Sequence, residues 1–235
     1  CFDIYRCDVE SGACENLLPD TPGLSISLDF DLSPDGERLA FAVAHGQSYA
    51  AAVMPAAVSP RGEAVRLLAD HYYNDWAPDW APDGRHLVFQ SDTHGQDGAV
   101  FIAGADDGTL RALGGDDPVL AWNPRWSPDG ARIAFTGVLH DRYAIGLYDV
   151  ARDEVEWPWE GDRDAHGPVW APDGRSLVFL TDHAAETALW RLDLASGKVT
   201  DLSAGRGNHY HPRFTPDGSA VIVVLSGPGV PSDLF

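Results

Sequence analysis

One tetrapeptide pattern occurs five times in this chain: Ser33-Pro34-Asp35-Gly36, Ala81-Pro82-Asp83-Gly84, Ser127-Pro128-Asp129-Gly130, Ala171-Pro172-Asp173-Gly174 and Thr215-Pro216-Asp217-Gly218. Successive prolines stand 48, 46, 44 and 44 residues apart, so one supersecondary unit is repeated, and a period in the forties belongs to propeller blades or to helical arrays. The chemistry of the tetrapeptide decides between them. Proline presets φ at the second position of a turn, aspartate can bond its own backbone, and glycine supplies the exit that other residues resist.

A short apolar run follows every turn: Leu39 to Val43, Leu87 to Phe89, Ile133 to Phe135, Leu177 to Phe179 and Val221 to Leu225. Alternate positions are large and those between them are mostly apolar too, which predicts strands covered on both faces, as in a sheet stacked between two others. Before each turn a second strand ends in Trp80, Trp126, Trp170 or Phe214, with Pro78, Pro124, Pro168 and Pro212 two residues earlier. Proline donates no ladder bond, so these strands enter at a sheet edge or a first position. Hairpins beyond the apolar runs, such as Ala188 to Leu194 turning at Ala195-Ser196-Gly197 into Lys198 to Leu202, bring the count to four strands per repeat. Similar stretches run from Ala99 to Leu113 and from Tyr143 to Val155. The expected fold class is all-β, a β-propeller of four-stranded antiparallel blades. Four complete blades, 24–70, 71–114, 115–159 and 160–204, lie between the end of one (1–23) and the start of another (205–235), as expected for part of a larger propeller. Ser48 to Ala57 lengthens the first full blade, either as a variation of an outer strand or as an extra loop.

With 36 acidic against 16 basic residues the formal charge is −20, which opposes phosphate backbones, and the arginines form no stripe; nucleic acid is not an expected partner. The acidity suits a high-salt cytoplasm or an ordinary acidic bacterial protein. No apolar stretch approaches the roughly 20 residues of a membrane helix. Three cysteines leave the compartment open. Cys7 and Cys14 flank Glu10-Ser11-Gly12 and would face each other across a two-residue loop, whereas a three-residue loop with a left-handed Gly12 pairs position 8 with 14; the second suits the glycine better. Cys1 would be a lipidated residue if it were a mature terminus, giving a periplasmic or anchored protein; otherwise a cytoplasmic location is favoured.

The repeat Trp-Ser/Ala-Pro-Asp-Gly-x-x-Leu/Ile-x-Phe at Trp80, Trp126 and Trp170 resembles the TolB-like, WD-repeat-related propeller motif, which is specific for fold and poor for function. The last stretch, from Asn208-His209-Tyr210-His211-Pro212 to Pro231-Ser232-Asp233-Leu234-Phe235, resembles the late propeller of prolyl oligopeptidase-family serine peptidases of the acylaminoacyl-peptidase-like branch. That resemblance implies a non-catalytic propeller gating peptide access to an α/β-hydrolase domain placed C-terminal to it, with short peptides as the other partner. No catalytic residue is expected here. Gly23-Leu24-Ser25-Ile26-Ser27 lacks the second glycine of a nucleophile elbow, and no Glu-Glu step matches the amine-binding pair of dipeptidyl peptidases. The alternative is an exported TolB-like scaffold for protein–protein interaction.

Five residues are candidates for a channel mouth in contact with peptide or partner: Asp75, Trp122, His166, His209 and His211. His209 and His211 alternate on a strand and would share a face, half of a zinc site. No third ligand accompanies them, so no metal or other cofactor is expected. The aspartates of Asp106-Asp107-Gly108, Asp116-Asp117 and Asp162-Arg163-Asp164 lack the alternating oxygen spacing of a calcium loop and read as solvated turns. Tryptophans at the shared offset read as core.

Overall fold

The recurring turns fold as their residue types require. In the computed structural model, which describes residues 4–17, 26–56, 65–69, 73–92, 98–115, 119–183, 186–203, 207–227 and 230–234, the glycines of all five turns are left-handed, with φ between 64° and 75°. Each donates its N–H to the carbonyl of the turn's first residue at 2.8–3.0 Å. Each aspartate accepts the amide two residues on at 2.7–3.1 Å. Where the turn opens with Ser33, Ser127 or Thr215, its hydroxyl donates to the same carboxylate at 2.5–2.6 Å. All described regular elements are strands, paired antiparallel in chain order, and no described helix is long and apolar enough to cross a membrane. The fold is all-β, built of propeller blades.

The chain forms two compact units. In Cys1–Pro118, a two-stranded hairpin, β1 (Tyr5–Cys7) and β2 (Cys14–Asn16), precedes two four-stranded sheets. The first contains β3 (Ile26–Leu32), β4 (Arg38–His45), β5 (Ser48–Pro55) and β6 (Arg66–Leu67); the second contains β7 (Asp75–Trp80), β8 (His86–Ser91), β9 (Ala99–Gly104) and β10 (Leu110–Ala112). Ser48 to Pro55 is thus a third strand, paired along its length with β4. Ile4 and Leu17, either side of the hairpin, are buried in one cluster with Leu39, Phe41, Val43 and Met54.

The hairpin register differs from the expectation. Cys7 stands opposite Cys14, and the two form a disulfide. Gly12 is left-handed as anticipated, but the loop has four residues, Val9 to Gly12: Asp8 N–H donates to Ala13 O, and Gly12 N–H donates to Asp8 O. The extra residue moves position 8 out of the pair with 14. The same loop recurs at Asp193, where Gly197 donates to Asp193 O and Asp193 to Lys198 O, and the Asp-x-x-Ser-Gly pattern common to both is its signature. Cys1 lies outside the described residues.

In Val119–Phe235 the sheets are β11 (Ala121–Trp126), β12 (Arg132–Leu139), β13 (Arg142–Asp149), β14 (Glu154–Glu156); β15 (Ala165–Trp170), β16 (Ser176–His183), β17 (Glu186–Asp193), β18 (Val199–Asp201); and β19 (Asn208–Phe214), β20 (Val221–Gly227), β21 (Val230–Leu234). Phe41, Phe89, Phe135 and Phe179, at one offset of the second strands, are wholly buried, as are Ala40, Val88, Ala134 and Val178 just before them on the opposite face, so four second strands are covered on both faces. β20 departs from this: Val223 packs against Val178, Leu180 and Leu189, but Ile222 is 40% exposed.

Sheets within a unit are joined by repeated contacts. A Cβ placed on Gly84, Gly174 or Gly218 would lie 3.9, 3.8 or 3.4 Å from the ring of Pro34, Pro128 or Pro172 in the preceding turn, so the turns stack. The guanidinium of Arg38 lies 4.8 Å from the ring centroid of Trp80, and that of Arg132 lies 5.2 Å from Trp170; each cation caps the indole of the next sheet. Trp80, Trp126 and Trp170 are core residues.

Candidate functional site

The candidate residues belong to the first strands of the sheets, and proline decides how those strands are used. β7, β11, β15 and β19 each form an edge of their sheet, with Pro78, Pro124, Pro168 and Pro212 buried at one offset. No ladder bond is lost on the outer side of an edge strand. The residue before each proline is left-handed: Ala77 at φ 49°, Asn123 at 52°, Gly167 at 64° and His211 at 51°. At the same place the pairing slips, between Trp76 and Asp79, Trp122 and Arg125, His166 and Val169, and Tyr210 and Arg213. Each first strand therefore carries a bulge, which bends the strand and re-aims its side chains. The signal for it was weak: asparagine and glycine tolerate this conformation, alanine and histidine only at a cost.

The bulge overturns the pairing of the two histidines. Alternation across an ordinary strand would put His209 and His211 on one face, but the inserted residue breaks it: His209 is fully buried and His211 is exposed. His209 is tied to the preceding sheet, its N–H donating to Thr187 Oγ1 at 2.5 Å, its Nδ1 to Thr187 O at 2.7 Å, and its carbonyl accepting the Thr187 hydroxyl at 3.0 Å. Asp75 sits at the same offset in the other unit, fully buried, and its Oδ2 accepts the Ala51 amide of β5 at 2.8 Å. These two residues latch one sheet to the previous one and do not line an open surface. One position earlier, Asn74 and Asp164 accept the Tyr49 and Tyr143 amides at 3.0 and 2.9 Å, a repeat of the same device. Among the described residues no three His, Cys, Asp or Glu side chains converge as a metal site.

Trp122 and His166 share the next offset with Tyr210, and all three reach solvent from edge strands of the Val119–Phe235 unit. Trp122 meets Tyr143 edge-on at 5.6 Å, His166 Nε2 lies 3.3 Å from Asp182 Oδ1, and Tyr210 lies 6.5 Å from the ring of His211. Aromatic faces, imidazoles and a carboxylate thus stand beside bulged strand edges, a surface able to take extended chain by stacking and hydrogen bonding.

A family model described as the TolB beta propeller domain matches residues 3–193. The chain belongs to that family. No curated protein sequence matches the chain. Among solved structures, TolB from Acinetobacter baumannii is similar with a TM-score of 0.71 at 16% identity, over 99% of this chain and 56% of that one. A puromycin hydrolase is similar with a TM-score of 0.79 at 17% identity, over 99% of this chain and 39% of that one. A puromycin-hydrolyzing peptidase from Mycobacterium tuberculosis is similar with a TM-score of 0.77 at 21% identity, over 98% of this chain and 38% of that one. At such identities the likeness is one of fold. The chain spans little more than half the length of that TolB and under two fifths of the two hydrolases. The TolB-type blades here supply a scaffold on which an edge-strand surface is presented at a fixed offset, repeat after repeat.

Proposed function

We propose that this TolB-type propeller domain gates and filters peptide access to an α/β-hydrolase domain of a prolyl oligopeptidase-like serine peptidase, and that it contributes no reacting group. The observation that carries this reading is the array of Trp122, His166, Tyr210 and His211 on bulged edge strands of one unit, a surface suited to holding short extended chain. Support comes from the peptidase-like stretch 208–235 and from the likeness in fold to a puromycin hydrolase and a puromycin-hydrolyzing peptidase. A rim built of rigid sheets excludes folded proteins by size, and its aromatic residues retain peptides long enough to pass. Catalysis is assigned to the partner domain.

The test is steady-state kinetics of the source gene's uninterrupted product on an aminoacyl nitroanilide, a short peptide and a folded protein. The reading expects turnover of the first two only. A Trp122→Ala/Tyr210→Ala double variant should raise KM for the peptide by about 5-fold with kcat little changed, as loss of uniform binding does. Cleavage of the folded protein, or a gene product without a serine nucleophile, removes the proposal.

A second reading, an exported TolB-like scaffold with protein partners, is favoured by one observation: the Cys7–Cys14 disulfide, a bond that persists in oxidising compartments. Mass spectrometry after alkylation of protein taken from its own cells separates the readings. An oxidised pair in a product lacking peptidase activity supports the scaffold.

A further inference from the structure

A cavity of about 240 Å³ opens within the Val119–Phe235 unit where a hairpin tip meets a connection between sheets. The tip joins β12 to β13 through a two-residue turn, His140 and Asp141, both left-handed with φ of 50° and 63°, and sets Arg142 opposite Leu139 in the last pair of the ladder. The connection runs from β14 to β15, Trp157 to Asp164. Leu139, Arg142, Tyr143, Trp159, Glu160 and Arg163 line the space between them. Ring contacts fix the connection: Trp157 meets Phe135 edge-on at 5.7 Å, Trp159 lies 4.9 Å from Phe179, and Pro158 stiffens the step between. A Cβ on Gly161 would stand 2.0 Å from the Trp159 ring, so glycine lets that indole fold back over the chain. On the other wall the Tyr143 amide donates to Asp164 Oδ1 at 2.9 Å. The cavity is preformed.

Both arginines depart from the repeat, and both line this one cavity. The offset of Arg142 carries Ser48 and Glu186 in two other sheets, and that of Arg163 carries Tyr73, Val119 and Gly207 ahead of the other first strands. In a chain of formal charge −20 this gathers scarce cations. Among the described residues no carboxylate pairs with Arg142. Arg163 reaches the exposed Asp162 through Nε at 3.9 Å, a surface pair of little worth. Glu160 lines the same space. Two guanidiniums against one carboxylate call for a ligand with a single negative charge, so a carboxylate fits better than a phosphate dianion. Leu139, Tyr143 and Trp159 offer its apolar body a surface, and the volume lies below the roughly 300–1,000 Å³ of a drug-sized site, which leaves room for one residue.

We infer that this cavity binds an apolar residue that ends in a free α-carboxylate, either the C-terminus of a short peptide or a single acylated amino acid. Arg142 and Arg163 take the carboxylate, and the side chain lies against Trp159 and Leu139. Glu160 turns away an acidic side chain by like charge. Tyr143 joins the cavity to the surface already described, since its ring meets Trp122 edge-on at 5.6 Å. A peptide anchored by its terminus therefore runs past Tyr143 toward Trp122, an extension that rests on the peptide-gating reading; the carboxylate pocket itself does not.

The test is calorimetric titration of the purified 235-residue chain with Gly-Gly-Phe, its C-terminal amide, Gly-Gly-Asp, acetyl-phenylalanine and inorganic phosphate. Saturable binding of Gly-Gly-Phe and acetyl-phenylalanine is expected, with the amide and Gly-Gly-Asp weaker by about tenfold or more, as loss of a charge-assisted bond implies. Arg142→Gln and Arg163→Gln should each weaken binding by about fivefold or more while the urea midpoint stays unchanged. Tighter binding of the peptide than of acetyl-phenylalanine carries the ligand on to Trp122, and equal binding assigns the pocket to a single acylated residue. No saturable heat, phosphate binding as tightly as the carboxylates, or affinity untouched by amidation or by the arginine variants overturns the site. Because binding is read without turnover, failure of the pocket and failure of the hydrolase reading are separate results.

Discussion

Single residues in this molecule act mostly through the backbone groups they hold. Asp75 is the sharpest case, a carboxylate with no exposed surface whose Oδ2 accepts the Ala51 amide of the preceding sheet. Asp75→Ala should cost about 1–3 kcal/mol in urea unfolding, because a buried strand amide loses its acceptor, and Asp75→Asn, which keeps one, should cost less. The turn aspartates act through charge as well. The Thr215 hydroxyl, then the Ser219 amide and hydroxyl, hold the Asp217 carboxyl down from 3.8 to about 2, and Asp35 and Asp129 are lowered by Ser33 and Ser127 in the same way. The folded turn favours the charged form, so this stabilisation is present above 3.8, the ordinary value, and is lost as pH falls toward 2. A melting temperature that drops across that interval is expected, with a shallower drop in Thr215→Val; a profile flat over the interval contradicts the assignment. The turns were legible in the sequence because proline, aspartate and glycine each have a local reason to be there. The buried roles of Asp75 and His209 were not, since polarity alone suggests exposure and only the neighbouring sheet reveals the partner.

Among elements, the first strands show how far sequence alone reaches. Their edge position followed from Pro78, Pro124, Pro168 and Pro212, and the structure agrees. The bulge did not follow, because Ala77 and His211 carry no marker for a left-handed backbone, and with it went the placement of His209 and His211. Conformation at this offset gives a prediction with opposite signs in two sheets. Ala77 is left-handed, so Ala77→Gly should raise stability by about 0.5–1 kcal/mol. Gly167 has the same φ sign and nothing within 4 Å of an added Cβ, so Gly167→Ala should lower stability by a similar amount, about 0.5–1 kcal/mol, through backbone strain alone. Urea midpoints of the two variants check this, and equal signs would show that the bulges are not equivalent. The β1–β2 hairpin offers a further check. Its disulfide closes a short loop, and reduction should cost about 2 kcal/mol through the freed unfolded chain, loosening the cover that Ile4 and Leu17 give the first four-stranded sheet.

At the level of the whole molecule, repetition made the architecture readable: a 44–48-residue period fixes a four-stranded unit, and both the strand order and the TolB beta propeller match follow from it. Function was less readable for a physical reason. The residues that set the repeat are spent on turns, latches and core, while the residues proposed to meet a partner, such as Trp122, His166, Tyr210 and His211, vary from sheet to sheet at fixed offsets. The central claim is that these blades act as a cover without a reacting group, serving a hydrolase domain. Its most direct test is the turnover of an aminoacyl nitroanilide by the purified 235-residue chain beside the uninterrupted gene product. The account predicts release of nitroaniline by the gene product and none by the chain; hydrolysis by the chain alone would contradict it.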